Sequence, residues 1–253
     1  MTFADFIRLG TVNKDVAQFL DVCMFLGKNI LVSGGTGSGK TTLLGSLCNR
    51  IPKGQRIIVI EDSSELTIDY EHVVRFETRM ANTQGHGAVT MRDLLISSLR
   101  LRPDRIIVGE VRGNEALELI NAMNTGHKGC LGTIHANSPH DALVRLEGLA
   151  LGAGQKMSEK ALQYQISSAI DMVVQISRIP DGSRRIVNIS EIAGLDDKGN
   201  YIVESLFDLT NLQRQADGHY TGELLPTGRV PSFWDEIVNN RIPLQKSKFE
   251  RAA

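Results

Sequence analysis

Short apolar runs alternate along this chain with stretches whose apolar residues recur at helical spacing. Val16, Phe19, Leu20 and Cys23 recur at that spacing and predict one or two short helices over Phe3–Leu26. Asn29–Ser33 is an apolar run that leads straight into a glycine cluster, and Leu43, Leu44 and Leu47 then mark a helix ending near Ile51–Pro52. Further strands are predicted at Arg56–Ile60, Val73–Phe76, Ile106–Val108 and Cys130–Ile134, with helices at Met91–Leu101 and Glu115–Met123 between them. Continuously apolar strands alternating with helices predict an α/β fold, a largely parallel sheet covered by helices on both faces. Beyond Gly154 the pattern changes. A helix over Glu159–Ile170 is followed by strands at Met172–Ile176, Arg185–Ile192 and Tyr201–Leu206, joined by turns at Asp181–Gly182 and Lys198–Asn200. These form a small C-terminal α+β appendage starting at about 155. The division expected is a helical lead-in over 1–28, a core over 29–212 and a polar, turn-rich tail over 213–253.

The chain has 253 residues, 42% hydrophobic and 23% charged, with a formal net charge of -1. That balance gives no global basic field, so direct nucleic-acid binding is not expected. No apolar run approaches the ~20 residues needed to span a bilayer, and Met1–Phe6 lacks the basic region and cleavage site of a signal peptide. Cys23, Cys48 and Cys130 are far apart and outside C-x-x-C spacing, which predicts reduced thiols and a cytoplasmic protein.

One motif carries the chemistry. Gly34–Thr41 reads G-G-T-G-S-G-K-T, the G-x-x-x-x-G-K-[ST] phosphate-binding loop, placed between a strand and a helix as its mechanics require. Glycines let backbone amides close around phosphate oxygens, and the helix start adds its positive dipole end. The residues expected to bind nucleotide are Gly35, Thr36, Gly37, Ser38, Gly39, Lys40, Thr41 and Thr42. Lys40 supplies charge to the β- and γ-phosphates and the Thr41 hydroxyl ligates Mg²⁺, so ATP and Mg²⁺ are the expected cofactors. Two strand ends offer carboxylates, Glu61–Asp62 after Ile57–Ile60 and Glu110 after Ile106–Val108. Acids at strand ends commonly mark only the solvent boundary, but in an open α/β sheet both would converge on the phosphate loop. His135 ends another apolar strand, where a hydrogen-bonded structural histidine is the plain alternative. His86 and His127 lie in glycine-containing loops without metal-ligand spacing.

Four motifs in order give a resemblance. Ser33–Thr42, Ile60–Leu66, Leu101–Gly113 and Met123–His127 leading to Thr133–Ser138 resemble the Walker A, Asp box, Walker B and His box of the secretion-superfamily ATPases of type II and type IV secretion. Within that superfamily the likeness is strongest to the CpaF-like, tight-adherence (Flp) pilus assembly branch, whose tail Pro226–Phe233 also resembles. The resemblance implies a RecA-like P-loop domain in a hexameric ring, with ATP between subunits. It also implies an inner-membrane platform protein as partner, and a cytoplasmic location peripheral to that membrane. It makes Glu61 the group that polarises water, Glu110 a holder of Mg²⁺ and His135 a γ-phosphate sensor, with Lys40 completing the catalytic set. Arg79, Arg92 and Arg112 are candidates for an arginine acting on a neighbour's γ-phosphate. Such ATPases usually carry an N-terminal domain, which the short lead-in does not supply.

Overall fold

In the computed structural model, which describes residues 1–154 and 157–251, nine strands form one sheet in the order β3-β2-β4-β5-β1-β6-β7-β8-β9. The parallel part consists of β1 (Ile30–Ser33), β2 (Ile57–Glu61), β3 (Val73–Glu77), β4 (Arg105–Val108), β5 (Leu131–Ile134) and β6 (Met172–Arg178). From β6 the sheet continues antiparallel through β7 (Arg184–Leu195), β8 (Tyr201–Arg214) and β9 (Tyr220–Pro226). The strands expected after Gly154 thus extend the same sheet, since β6 pairs with β1. The expected start of the appendage, near 155, lies outside the described residues.

Strand side chains alternate between two cores because successive residues of a strand face opposite ways. Ile30, Val32, Ile57, Val59 and Ile107 pack with α1 (Phe3–Arg8), α2 (Lys14–Leu26) and α3 (Lys40–Cys48). Leu31, Ile58, Ile60, Ile106 and Val108 pack on the other face with α4 (Met91–Ser98), α5 (Glu115–Asn124), α6 (Pro139–Leu151) and α7 (Glu159–Ala169). Both faces are covered, which is why these strands read as unbroken apolar runs.

Local chemistry fixes the helix ends. Asn13 Oδ1 accepts the Val16 N–H at 2.8 Å at the start of α2, and Thr90 and Asp93 form a reciprocal capping box on α4. Ser138 caps α6 with Pro139 in its first turn. That helix was not anticipated from the periodicity, although its Ser-Pro start is a helix signal.

The tail is ordered into β9, α8 (Trp234–Asn239) and a last turn at Lys246–Phe249. It returns across α2: Lys28 pairs with Glu236 and Lys248 with Asp15, each at 2.6 Å. Phe249 is fully buried against Phe19, Phe207 and Trp234, so the two ends of the chain share one core.

Candidate functional site

The carboxyl ends of β1, β4 and β5 converge on one cleft of about 600 Å³. Where β1 ends, the chain turns so tightly that a Cβ on Gly34 would stand 2.2 Å from the Ile176 carbonyl oxygen, so only glycine fits. Gly39 caps α3 in the left-handed region (φ 97°) with no side-chain hydrogen bond. The first-turn amides of α3 therefore lack a side-chain acceptor and form an anion-seeking helix start.

Thr36, Gly37, Gly39, Lys40, Thr41 and Thr42 all line this cleft, together with Glu110 and His135. Ser38 is buried beneath the loop, and Gly35 lines an adjoining groove with Thr36, His135 and Arg145. Lys40 Nζ donates to the Gly35 carbonyl at 2.9 Å and lies 3.3 Å from His135 Nε2. The same Nε2 lies 3.1 Å from Glu110 Oε1. One ring nitrogen thus faces both a donor and an acceptor. The tautomer carrying Nε2–H donates to Glu110, and the tautomer with bare Nε2 accepts from Lys40.

Burial pushes the Lys40 ammonium below its usual value, with Glu110 opposing. Burial and the Lys40 charge also hold His135 below the ordinary imidazole value, against the pull of Glu110, so the ring is neutral at neutral pH. Burial alone would raise Glu110. The hydrogen bond from Arg112 Nη2 at 2.6 Å and the neighbouring positive charges outweigh it, and the carboxyl sits below the usual range.

Glu61 sits apart from the main cleft. It is 4% exposed and lines a small recess with Thr41, Glu65, Glu110 and Arg112. Its Oε1 accepts the N–H groups of Glu65 and Leu66 at 3.0 and 2.9 Å, and Arg75 lies 3.6 Å from Oε2. Glu61 therefore holds the loop that points Glu65 toward the cleft.

The three candidate arginines separate. Arg112 belongs to the site, bonded to Glu110 and 3.7 Å from Asp62. Arg92 is engaged by Glu118, and Arg79 Nε donates to the Gly87 carbonyl, so neither lines the cleft of its own chain. The sequence reading passed over Arg184, Phe6, Leu9 and Ile176, which line the cleft, and Arg145 in the groove beside it. No local motif marks them; α1 and the residue after it, the β6–β7 hairpin and, for Arg145, α6 bring them in.

The oxygens of Thr41 and Glu110 are hard donors that suit a divalent cation such as Mg²⁺. No cluster of three or more His, Cys, Asp or Glu side chains able to hold a metal occurs among the described residues. Phosphate oxygens would have to complete the coordination, as in phosphate-loop sites.

Known proteins resemble this chain in sequence and fold. The family model described as type II/IV secretion system protein matches residues 1–204. The conjugal transfer protein TrbB of Rhizobium radiobacter is 43% identical over 169 residues, covering 66% of this chain and 49% of that protein. VirB11 of Agrobacterium fabrum is 38% identical over 164 residues, covering 64% and 47%. The crystal structure of the VirB11 ATPase from the Brucella suis type IV secretion system superposes with a TM-score of 0.64 at 33% identity, over 74% of this chain and 54% of that one. The chain spans about half the length of the curated relatives it matches. A family pattern that runs from the N-terminal helices to the first residues of β8 takes in the phosphate loop, both carboxylate-bearing strand ends and His135, and by it the chain belongs to the type II/IV secretion system protein family.

Proposed function

We propose that this chain hydrolyses ATP as the catalytic part of a secretion-type motor, working as a homo-hexamer against an integral inner-membrane platform protein. The observation that carries the reading is the meeting of Lys40, Thr41, Glu110 and His135 in one cleft at the mouth of an uncapped helix. Lys40 and the loop amides hold the β- and γ-phosphates, as the positive helix start favours. Thr41 and Glu110 hold Mg²⁺, which when bound neutralises charge on the phosphate oxygens. Glu61 orients the attacking water and takes its proton. His135, neutral and placed between Lys40 and Glu110, changes partner as the γ-phosphate leaves, which supports its role as a sensor. Arg112, Arg79 and Arg92 remain the candidates for a group acting on a neighbour's nucleotide. Arg92 would first have to leave Glu118.

The motor's work is pilus-subunit assembly or protein export, with Pro226–Phe233 favouring the CpaF-like pilus branch. A second reading is service to a DNA-transfer machine, favoured by relatives named as conjugal transfer proteins. Among the described residues no helix is long and apolar enough to cross a membrane, which fits attachment at the inner face through the platform. The net charge of -1 favours a role without direct DNA contact in either case.

The test is steady-state ATP turnover of the chain with Mg²⁺ over a range of protein concentrations. Turnover should rise faster than linearly with concentration and vanish in Lys40→Ala. Turnover untouched by that substitution would refute the phosphate-loop reading. Full linear turnover from a chain that stays monomeric by mass would refute sites shared between subunits.

A further inference from the structure

Met172, Val173, Val174 and Ile176 make β6 an apolar, buried strand, yet Gln175 stands polar among them and is only 2% exposed. A buried amide costs stability unless it is hydrogen-bonded. Among the described residues this one makes a single bond: its Nε2 donates to the Ala136 carbonyl at 3.1 Å, and its Oε1 finds no partner. A carbonyl only accepts, so the amide presents its N–H side to Ala136. Ala136 follows His135 in the turn between β5 and α6, and among the described residues no backbone N–H claims its carbonyl. Ser33, the last residue of β1, pairs with Ile134 of β5 on one side and with Gln175 on the other. Gln175 therefore reaches past the end of β1, where the chain enters the phosphate loop, to hold the turn that carries His135. The Ser33 hydroxyl lies at the same level but is buried without a partner among the described residues, so it does not share that task. At the same point the pairing of β6 with β7 slips, Gln175 facing Asn188 and Ile176 facing Ile186. Irregularities of this kind re-aim side chains beside active sites.

We infer that Gln175 is the positioning residue of His135: by tethering the Ala136 carbonyl it sets where the imidazole stands between Lys40 and Glu110. The inference rests on the nucleotide reading above and adds how the histidine is held in register with the phosphate loop. His135 Nε2 lies 3.3 Å from Lys40 Nζ and 3.1 Å from Glu110 Oε1. Both contacts are lost once the atoms part beyond about 3.5 Å, so a small slip of the adjoining peptide is enough. The carboxylate side of the site has a separate lock. Thr133 Oγ1 donates to the Gly109 carbonyl at 2.7 Å and the Val111 N–H to the Thr133 carbonyl at 2.8 Å, which fixes the turn around Glu110 from β5 itself. Only the His135 turn depends on β6. An uncharged donor suits that place, since a buried lysine or arginine would cost desolvation and add a cation beside Lys40. The next residue of β6 completes the arrangement: the Ile176 carbonyl oxygen is the atom that leaves no room for a Cβ on Gly34. Consecutive residues of one strand thus border the start of the phosphate loop and hold the turn after β5.

Gln175→Met keeps the length and bulk of the side chain and removes the donor. In the full chain with Mg²⁺ it should lower kcat about a hundredfold, the scale of a misplacement by about 1 Å. ATP affinity by calorimetry should stay within about threefold, because the phosphate loop and Glu110 keep their own bonds, and Tm should fall by only about 2–4 °C. The separating measurement is a double-mutant cycle with His135→Gln. Since Gln175 acts through His135, adding Gln175→Met to His135→Gln should change kcat by less than about twofold. Gln175→Asn, whose amide is one methylene too short to reach Ala136, should repeat the pattern and takes the place of Gln175→Met if that variant does not fold. Losses in kcat that multiply in the double variant would give Gln175 a task apart from His135 and overturn the inference. So would full turnover in Gln175→Met, or an ATP affinity that falls in step with kcat, which would make Gln175 a support of the phosphate loop. In each of these cases the nucleotide reading still stands. If the unaltered chain neither binds nor hydrolyses ATP, that reading falls and the positioning role falls with it.

Discussion

Glu61 offers the sharpest separation of chemistry from scaffolding. Its carboxylate accepts two backbone N–H groups through one oxygen, from Glu65 and Leu66, and the Leu66 amide is buried. Glu61→Gln keeps an acceptor oxygen in the same place, so both amides stay bonded and the loop should hold. What it loses is the charge beside Arg75, a pair 3.6 Å apart with Arg75 about a third exposed, worth less than about 1 kcal/mol. Glu61→Ala removes the acceptor. An unsatisfied buried amide costs about 1–3 kcal/mol and the half-buried Glu65 amide less, so the loss is about 2–4 kcal/mol. For a chain of this size that lowers Tm by about 4–8 °C. If Glu61 takes the proton of the attacking water, Glu61→Gln lowers kcat by about 10²–10⁴ with Tm and ATP affinity nearly unchanged. Differential scanning fluorimetry, nucleotide titration and single-turnover hydrolysis read the three quantities. Glu61→Gln with full turnover would refute the general-base role and leave Glu61 as the residue that places Glu65. Glu61→Ala with an unchanged Tm would refute the account of the loop.

Three further outcomes follow from the geometry. Gly34→Ala sets a Cβ 2.2 Å from the Ile176 carbonyl oxygen and 2.6 Å from Ser38 Oγ; β1 and β6 must part, and both Tm and ATP binding should drop, which melts and calorimetry will register. Phe249→Ala opens a cavity among Phe19, Phe207 and Trp234 and should cost about 3–5 kcal/mol, or about 6–10 °C in Tm. A loss under about 1 kcal/mol would mean the tail is not part of the core. The third concerns acid. His135 in the folded chain binds its proton below the ordinary value of 6.5, so the unfolded chain takes it up first, and stability present above 6.5 declines as pH falls through that interval. Melts of the unliganded chain from neutral to acidic pH should show this decline, and His135→Gln should flatten it.

What the sequence made legible has a physical boundary. The unbroken runs of isoleucine, leucine and valine in β1, β2 and β4 report burial on both faces, so the parallel core and its helices could be read directly. The phosphate loop was legible because its chemistry is local: eight consecutive residues supply the turn, the amides and the lysine. The meeting of Lys40, Glu110 and His135 was legible one step further, since strand ends of a parallel sheet share an edge. The remainder depends on contacts distant in sequence. Arg184 lies 144 positions beyond Lys40, and no spacing rule links a hairpin residue to a loop on the far side of β1. Glu61, read from its strand end as a cleft carboxylate, lines the recess beside the cleft, where two amides of the following loop claim one of its oxygens. The tail read as polar and irregular because its buried apolar residues, Leu224, Ile237, Leu244 and Phe249, have no common period. Each fills a gap left by α2 and β8 instead of forming a face of its own. Since the tail closes over α2, and the turn before α2 carries Leu9 at the cleft mouth, loosening Phe249 should reach the nucleotide as well as the core. In Phe249→Ala, ATP affinity should fall, because the N-terminal turn and α3, which starts at the phosphate loop, both pack in the core that α2 shares with Phe249. If ATP affinity survives, the N-terminal turn is held by its own bonds, Ile186 to Thr11 and Ser46 to Met1 among them, and the tail serves stability without touching the site.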